Sequence, residues 1–159
     1  MIVLLSIDIV CLVDTRIVIY LWQITRDVLL MQKSDFTQID VVSRLFLGFL
    51  FIYHGLVPKI VWLNSIEVEL VSASGLDVSA DLISPLAGGA ELVLGVAIIV
   101  LRKSVFPVYL AALVLAMLLV YVGFSAPQYL IAAFNPVTTN IMGLGFCYVI
   151  LLSMKKRKP

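Results

Sequence analysis

Leu45–Ile60 reads LFLGFLFIYHGLVPKI, an apolar run that closes on a histidine, a proline and a lysine. His54 is the only histidine of the chain. What an imidazole does there depends on the solvent around it. The 159 residues are 62% hydrophobic and 13% charged, with a mean hydropathy of +1.13. Soluble domains run at about 45–50% apolar and about 25% charged. One domain of this length could not hide so much apolar surface from water, so a lipid bilayer is the expected surroundings and the principal partner. A net charge of +1 without a basic stripe gives no reason to expect nucleic acid. Cys11 and Cys147 lie far apart and form no C-x-x-C. Neither a disulfide framework nor a metal site is expected from them.

Working outward from the opening stretch, four segments are long enough to cross: Val41–Trp62, Leu82–Leu101, Val105–Phe124 and Thr138–Met154. A helix rises ~1.5 Å per residue, so ~20 residues cover the ~30 Å of hydrocarbon. The fold class is therefore all-α, an integral membrane four-helix bundle over residues 41–154. The tight polar turn Arg102-Lys103-Ser104 makes the second and third spans antiparallel neighbours. Between the first two spans, Asn64 with Glu67 three residues on resembles a capping box, and Gly75 resembles a helix stop. A short surface helix over Ser65–Ser74 is predicted there.

Basic residues set the orientation. Lys155-Lys156-Arg157-Lys158, the basic tail of residues 155–159, puts the C-terminus in the cytoplasm. Counting back places Arg102-Lys103, Arg44 and the N-terminus on the same side. Of the 11 basic residues, only Lys59 falls elsewhere, near the outer end of the first span, where it is expected to snorkel. Residues 1–40 form a cytoplasmic or interfacial segment. Asp8, Asp14, Arg16, Arg26 and Asp27 interrupt its apolar beginning, so a fifth span is not expected. Either the segment lies on the membrane surface, or translation begins at Met31; the residues do not decide between these.

Small residues mark the expected helix contacts. Ser84, Gly88, Glu91 and Gly95 share one face of the second span; Arg44, Gly48 and Gly55 share one of the first; Asn140, Gly143 and Cys147 share one of the fourth. Membrane helices associate by close packing along such stripes. Cys147 is expected to be a packing residue, and Trp62, Tyr121 and Phe124 interfacial anchors.

Five polar residues become site candidates: Tyr53, His54, Lys59, Glu91 and Asn140. His54 and Glu91 both fall ~12–14 Å below the outer surface, counted along their helices. An ionisable group at that depth faces the bundle interior and finds a partner, so a His54–Glu91 hydrogen bond is predicted, with Lys59 one turn above. Asn140 could hydrogen-bond across helices. The bland alternative is that these groups only clamp helices together.

FIYHGLVPKI, then SGL at residues 74–76, SPLAGGAELVLGV and finally AFNPVTTN before the last span resemble the DoxX-like family of small bacterial membrane proteins, over roughly Arg44 to the C-terminus. The resemblance implies a four-helix protein of the bacterial inner membrane. It also implies an association with oxidoreductase assemblies, including those that act on thiosulfate and quinone, and with epimerase-like nucleotide-binding domains. The chain carries neither a thiol-oxidoreductase cysteine pair nor a nucleotide-binding motif, so such chemistry implies a protein partner. Three readings follow: a membrane subunit of an oxidoreductase system whose polar pocket takes a quinone or a small thiol metabolite, a non-enzymatic assembly subunit, or a small-solute or proton conduit.

Overall fold

The computed structural model describes residues 15–29, 33–75, 77–133 and 135–157. The expectations for residues 1–14, Cys11 and Met31 lie outside these. The chain divides into two compact units, residues 1–35 and 36–159. In the first, helix α1 spans Thr15–Leu29. Its 15 residues are too few to cross a bilayer, which needs about 20. Ile17, Val18, Ile19, Leu21, Trp22 and Ile24 are all exposed, and the Arg26 guanidinium lies 5.4 Å from the Trp22 ring centre.

The second unit is built on α2 (Lys33–Leu56), α3 (Ser65–Ala73), α4 (Ala80–Val100), α5 (Phe106–Ser125) and α6 (Pro136–Arg157). A π-helical turn, Val57–Val61, continues α2, and a 3-10 turn, Pro127–Ile131, precedes α6. No strand occurs among the described residues. Four helices are long and apolar enough to cross a membrane: Ser34–Val61, Ala80–Val100, Phe106–Ser125 and Pro136–Arg157. The first begins well before the Val41 expected from hydropathy. Asp40 and Arg44 explain why: both are buried and paired with each other, so the polar entry to α2 belongs to the packed helix.

Close backbone contact joins α2 to α4. A Cβ on Gly55 would come within 2.5 Å of the Gly88 carbonyl oxygen, and one on Gly88 within 2.5 Å of that of Gly55. Gly48 and Gly95 repeat the arrangement, at 2.8 and 2.7 Å. The order of these pairs makes the two helices antiparallel. Beyond this seam, Leu47, Phe51, Leu94, Ile98, Val108, Ala111, Leu115 and Ile150 form the core, and Cys147 packs among them. Phe49, Val93, Met117 and Tyr148 are exposed, an apolar outer surface that suits lipid.

The two ends of the bundle are closed differently. At the end bearing the C-terminus, Arg44 is 1% exposed. It donates to Asp40 at 3.1 Å, to the Ile98 carbonyl at 3.0 Å and to the Ser104 carbonyl at 3.2 Å. Arg157 donates to the other Asp40 oxygen at 3.0 Å. One carboxylate thus ties α2 to α6, and one guanidinium ties α2 to the α4–α5 turn. At the opposite end α3 forms a roof. Asn64 caps it by accepting from the Ile66 N–H at 2.9 Å, and Gly75 ends it at φ 71°, the left-handed region glycine tolerates. Tyr121 donates to the Leu70 carbonyl at 2.5 Å and so ties α5 to α3. Gln128 donates to Glu69 at 2.9 Å, and Tyr129 also donates to Glu69.

Candidate functional site

Beneath the α3 roof lies a cavity of about 580 Å³. Tyr53, His54, Lys59, Glu91 and Asn140, the five candidates named from sequence, all line it. They arrive from three helices. Tyr53 and His54 occupy the last turn of α2, Lys59 the π-helical turn, Glu91 the glycine face of α4, and Asn140 the second turn of α6.

The pairing differs from the one expected. Glu91 binds Lys59, Nζ to Oε1, at 2.5 Å, with side chains 9% and 15% exposed for Lys59 and Glu91. No hydrogen bond joins His54 to Glu91 among the described residues; the His54 ring stands edge-on to Tyr53, with centroids 6.3 Å apart. Backbone geometry supplies the reason. Pro58 has no N–H to donate, and the chain widens into the π-helical turn, closed by Trp62 N–H to Val57 O at 2.9 Å. The wider turn places Lys59 inward against α4, where it is buried, instead of snorkelling outward. Gly55 and Gly88 let the two backbones approach closely enough for the pair to form.

Two buried polar atoms of these residues have no partner among the described residues: Glu91 Oε2 and Asn140 Nδ2. Asn140 is 3% exposed, and the cross-helix bond expected of it is not made. Buried polar groups are nearly always satisfied, so residues lining the cavity carry a spare acceptor on α4 and a spare donor on α6, each enclosed by protein. The rest of the wall is largely apolar, with Leu50, Phe51, Val114, Leu115 and Leu118.

Further residues on the cavity were not singled out from the sequence as site residues. Glu67 reaches it from α3, Tyr129 from the 3-10 turn, and Asn135, Thr138 and Thr139 from the start of α6. Asn135 accepts from the Thr138 N–H at 3.0 Å, which orders the first turn of α6. Asn135, Thr138 and Thr139 were visible in the AFNPVTTN motif; Glu67 was legible only as a partner in helix capping. Burial pushes the Glu67 carboxyl above its ordinary value, while the Lys59 ammonium draws it down and the Glu91 carboxylate raises it further. Cys147 does not line the cavity, in keeping with its packing role.

A cavity of this size falls within the range of small-molecule sites, about 300–1,000 Å³. Its lining residues all lie inside a matched region: a profile of the DoxX-like family covers residues 48–148, more than half of the chain. No curated protein and no solved structure matches it. On that match, and with four helices able to cross a bilayer, the chain is a membrane protein that belongs to the DoxX-like family.

Proposed function

We propose that this protein is the membrane subunit of a bacterial inner-membrane oxidoreductase system, with both termini cytoplasmic, and that its cavity binds a quinone. One observation carries the reading: Asn140 and Glu91 line a largely apolar cavity and carry a donor, Nδ2, and an acceptor, Oε2, without partners among the described residues. A quinone carbonyl accepts a hydrogen bond, as from Asn140, and a quinol hydroxyl donates one, as to Glu91. Tyr53 and His54 are further groups able to reach a ring oxygen, and the leucines and Phe51 suit the ring face. A small thiol metabolite fits less well. Its charges would need counter-ions, and the one lysine on the wall is held by Glu91. Electrons would come from a partner protein with an oxidoreductase or nucleotide-binding domain.

A second reading has its own support. The Lys59–Glu91 pair links the end of the first span to α4 beside the Gly55–Gly88 contact, so the polar groups could serve assembly alone. Binding of decylubiquinone to the purified chain in lipid nanodiscs separates the two. A quinone site gives saturable binding that Asn140→Leu weakens about three- to tenfold, the worth of one hydrogen bond of about 0.5–1.5 kcal/mol. An assembly clamp gives no saturable binding.

A further inference from the structure

Glu67 stands apart from the other charged groups on the wall. Lys59 already has its counter-ion in Glu91, and among the described residues no ion pair reaches Glu67. Beside the main cavity lies a second chamber of about 200 Å³, and Glu67, Leu70 and Leu118 line both. Ser84 lines the second chamber. It is 1% exposed, and its hydroxyl has no protein partner. The wall of this chamber is otherwise almost wholly apolar, with Leu70, Val71, Val78, Ile83, Ala87 and Leu118. Of the residues common to both cavities, Glu67 alone is ionisable, and it stands between two largely apolar spaces.

We propose that Glu67 holds the ligand as a neutral acid, donating a hydrogen bond to a quinone carbonyl, and that it takes up the required proton as the ligand binds. This rests on the quinone reading. A carboxylate without a counter-ion pressed against an apolar ring loses water it cannot replace. The protonated form instead becomes a donor. Burial already holds the Glu67 carboxyl above its ordinary 4.5, and a ligand that excludes more water raises it further.

The groups around Glu67 are His54 and Lys59 from the first span, Glu91 from α4, Tyr121 from α5, Tyr129 from the 3-10 turn, and Glu69 on α3 itself. Lys59 opposes protonation and Glu91 favours it. The linkage has one sign. Below the value of the free protein Glu67 is already protonated, and affinity is highest. Between the free and bound values each binding event takes up a proton, so affinity falls by up to about tenfold per pH unit as pH rises.

The test is a titration of the full-length protein in lipid nanodiscs with decylubiquinone, followed by calorimetry across a pH series in buffers of different ionisation enthalpy. Wild-type protein is expected to lose affinity with rising pH and to show buffer-dependent heat from proton uptake. Glu67→Gln, which keeps a donor but cannot ionise, is expected to bind with an affinity that no longer follows pH and without proton uptake. His54→Ala is expected to keep both effects. Wild-type affinity independent of pH, or heat independent of buffer, would overturn the proposal and leave the quinone reading standing. So would a Glu67→Gln protein that keeps the wild-type slope, since the proton would then sit on His54 or Glu91. If Glu67→Gln does not fold, the buffer dependence of the wild-type heat decides. No binding at any pH defeats the quinone reading and this proposal with it.

Discussion

Removing one member of the Lys59–Glu91 pair should cost far more than removing both. The two side chains are 9% and 15% exposed and meet at 2.5 Å. Lys59→Met leaves the Glu91 carboxylate in the wall with both oxygens bare, since Oε2 has no partner even now. Glu91→Gln leaves the Lys59 ammonium facing a neutral amide. Stranding one buried ion costs about 3–5 kcal/mol, whereas replacing a whole pair with uncharged groups is often nearly neutral. The double variant should therefore fall about 3 kcal/mol or more short of the sum of the single losses. The assay is reversible unfolding of the purified protein in mixed micelles by titration with sodium dodecyl sulfate, followed by circular dichroism. His54→Ala is the control: without a hydrogen bond to Glu91, its coupling to Glu91→Gln should be far smaller than that of Lys59→Met. Additivity of Lys59→Met and Glu91→Gln would refute the pairing. Strong coupling of His54 to Glu91 would restore the partner first expected.

Three other outcomes follow from the packing and the charges. Gly88→Ala puts a Cβ 2.5 Å from the Gly55 carbonyl oxygen, a backbone atom with little freedom to yield, and should destabilise by about 1–3 kcal/mol; Gly89→Ala, whose Cβ meets nothing within 4 Å, should be neutral or slightly stabilising in the same unfolding assay. Asp40→Asn strands the buried Arg44 and releases Arg157, for an expected loss of about 3–5 kcal/mol, whereas Arg157→Met, removing the partner that is 23% exposed, should cost clearly less; equal losses would contradict the cluster. Fusion of alkaline phosphatase to the C-terminus should give an inactive reporter, because the enzyme folds only outside the cytoplasm; an active fusion would reverse the proposed orientation.

The spans and their contacts were legible in the sequence because both follow from local pattern. Long apolar runs name the spans, and small residues at spacings of three and four name the faces that touch. Gly48 with Gly95 and Gly55 with Gly88 are where those two patterns meet. The cap at Asn64 was legible for the same reason, since its partner N–H lies two residues away. The cavity was legible in part: in a bilayer a polar residue within a span turns inward, and five such residues turn toward one space. What escaped was anything that depends on register between distant segments. Arg157 and Asp40 are 117 residues apart, and nothing local says that their ends of α6 and α2 coincide. The identity of the Glu91 partner depended on a single π-helical turn at Pro58, which no periodicity of 3.6 anticipates. Depth counted along straight helices put His54 level with Glu91, and the extra width of that turn handed the contact to Lys59. Glu67 escaped because the loop helix that carries it folds back as a roof.

Whether the cavity takes a quinone is open to one direct measurement. A photoreactive azido-benzoquinone can be irradiated with the full-length protein in lipid nanodiscs, and the attached sites mapped by mass spectrometry with and without excess decylubiquinone. The expected labels fall on the cavity wall around Tyr53, Leu118 and Asn140, and the competitor abolishes them. Labels scattered over the exposed outer surface at Phe49, Val93 and Met117, unchanged by the competitor, would contradict a quinone site and leave the polar groups as a clamp.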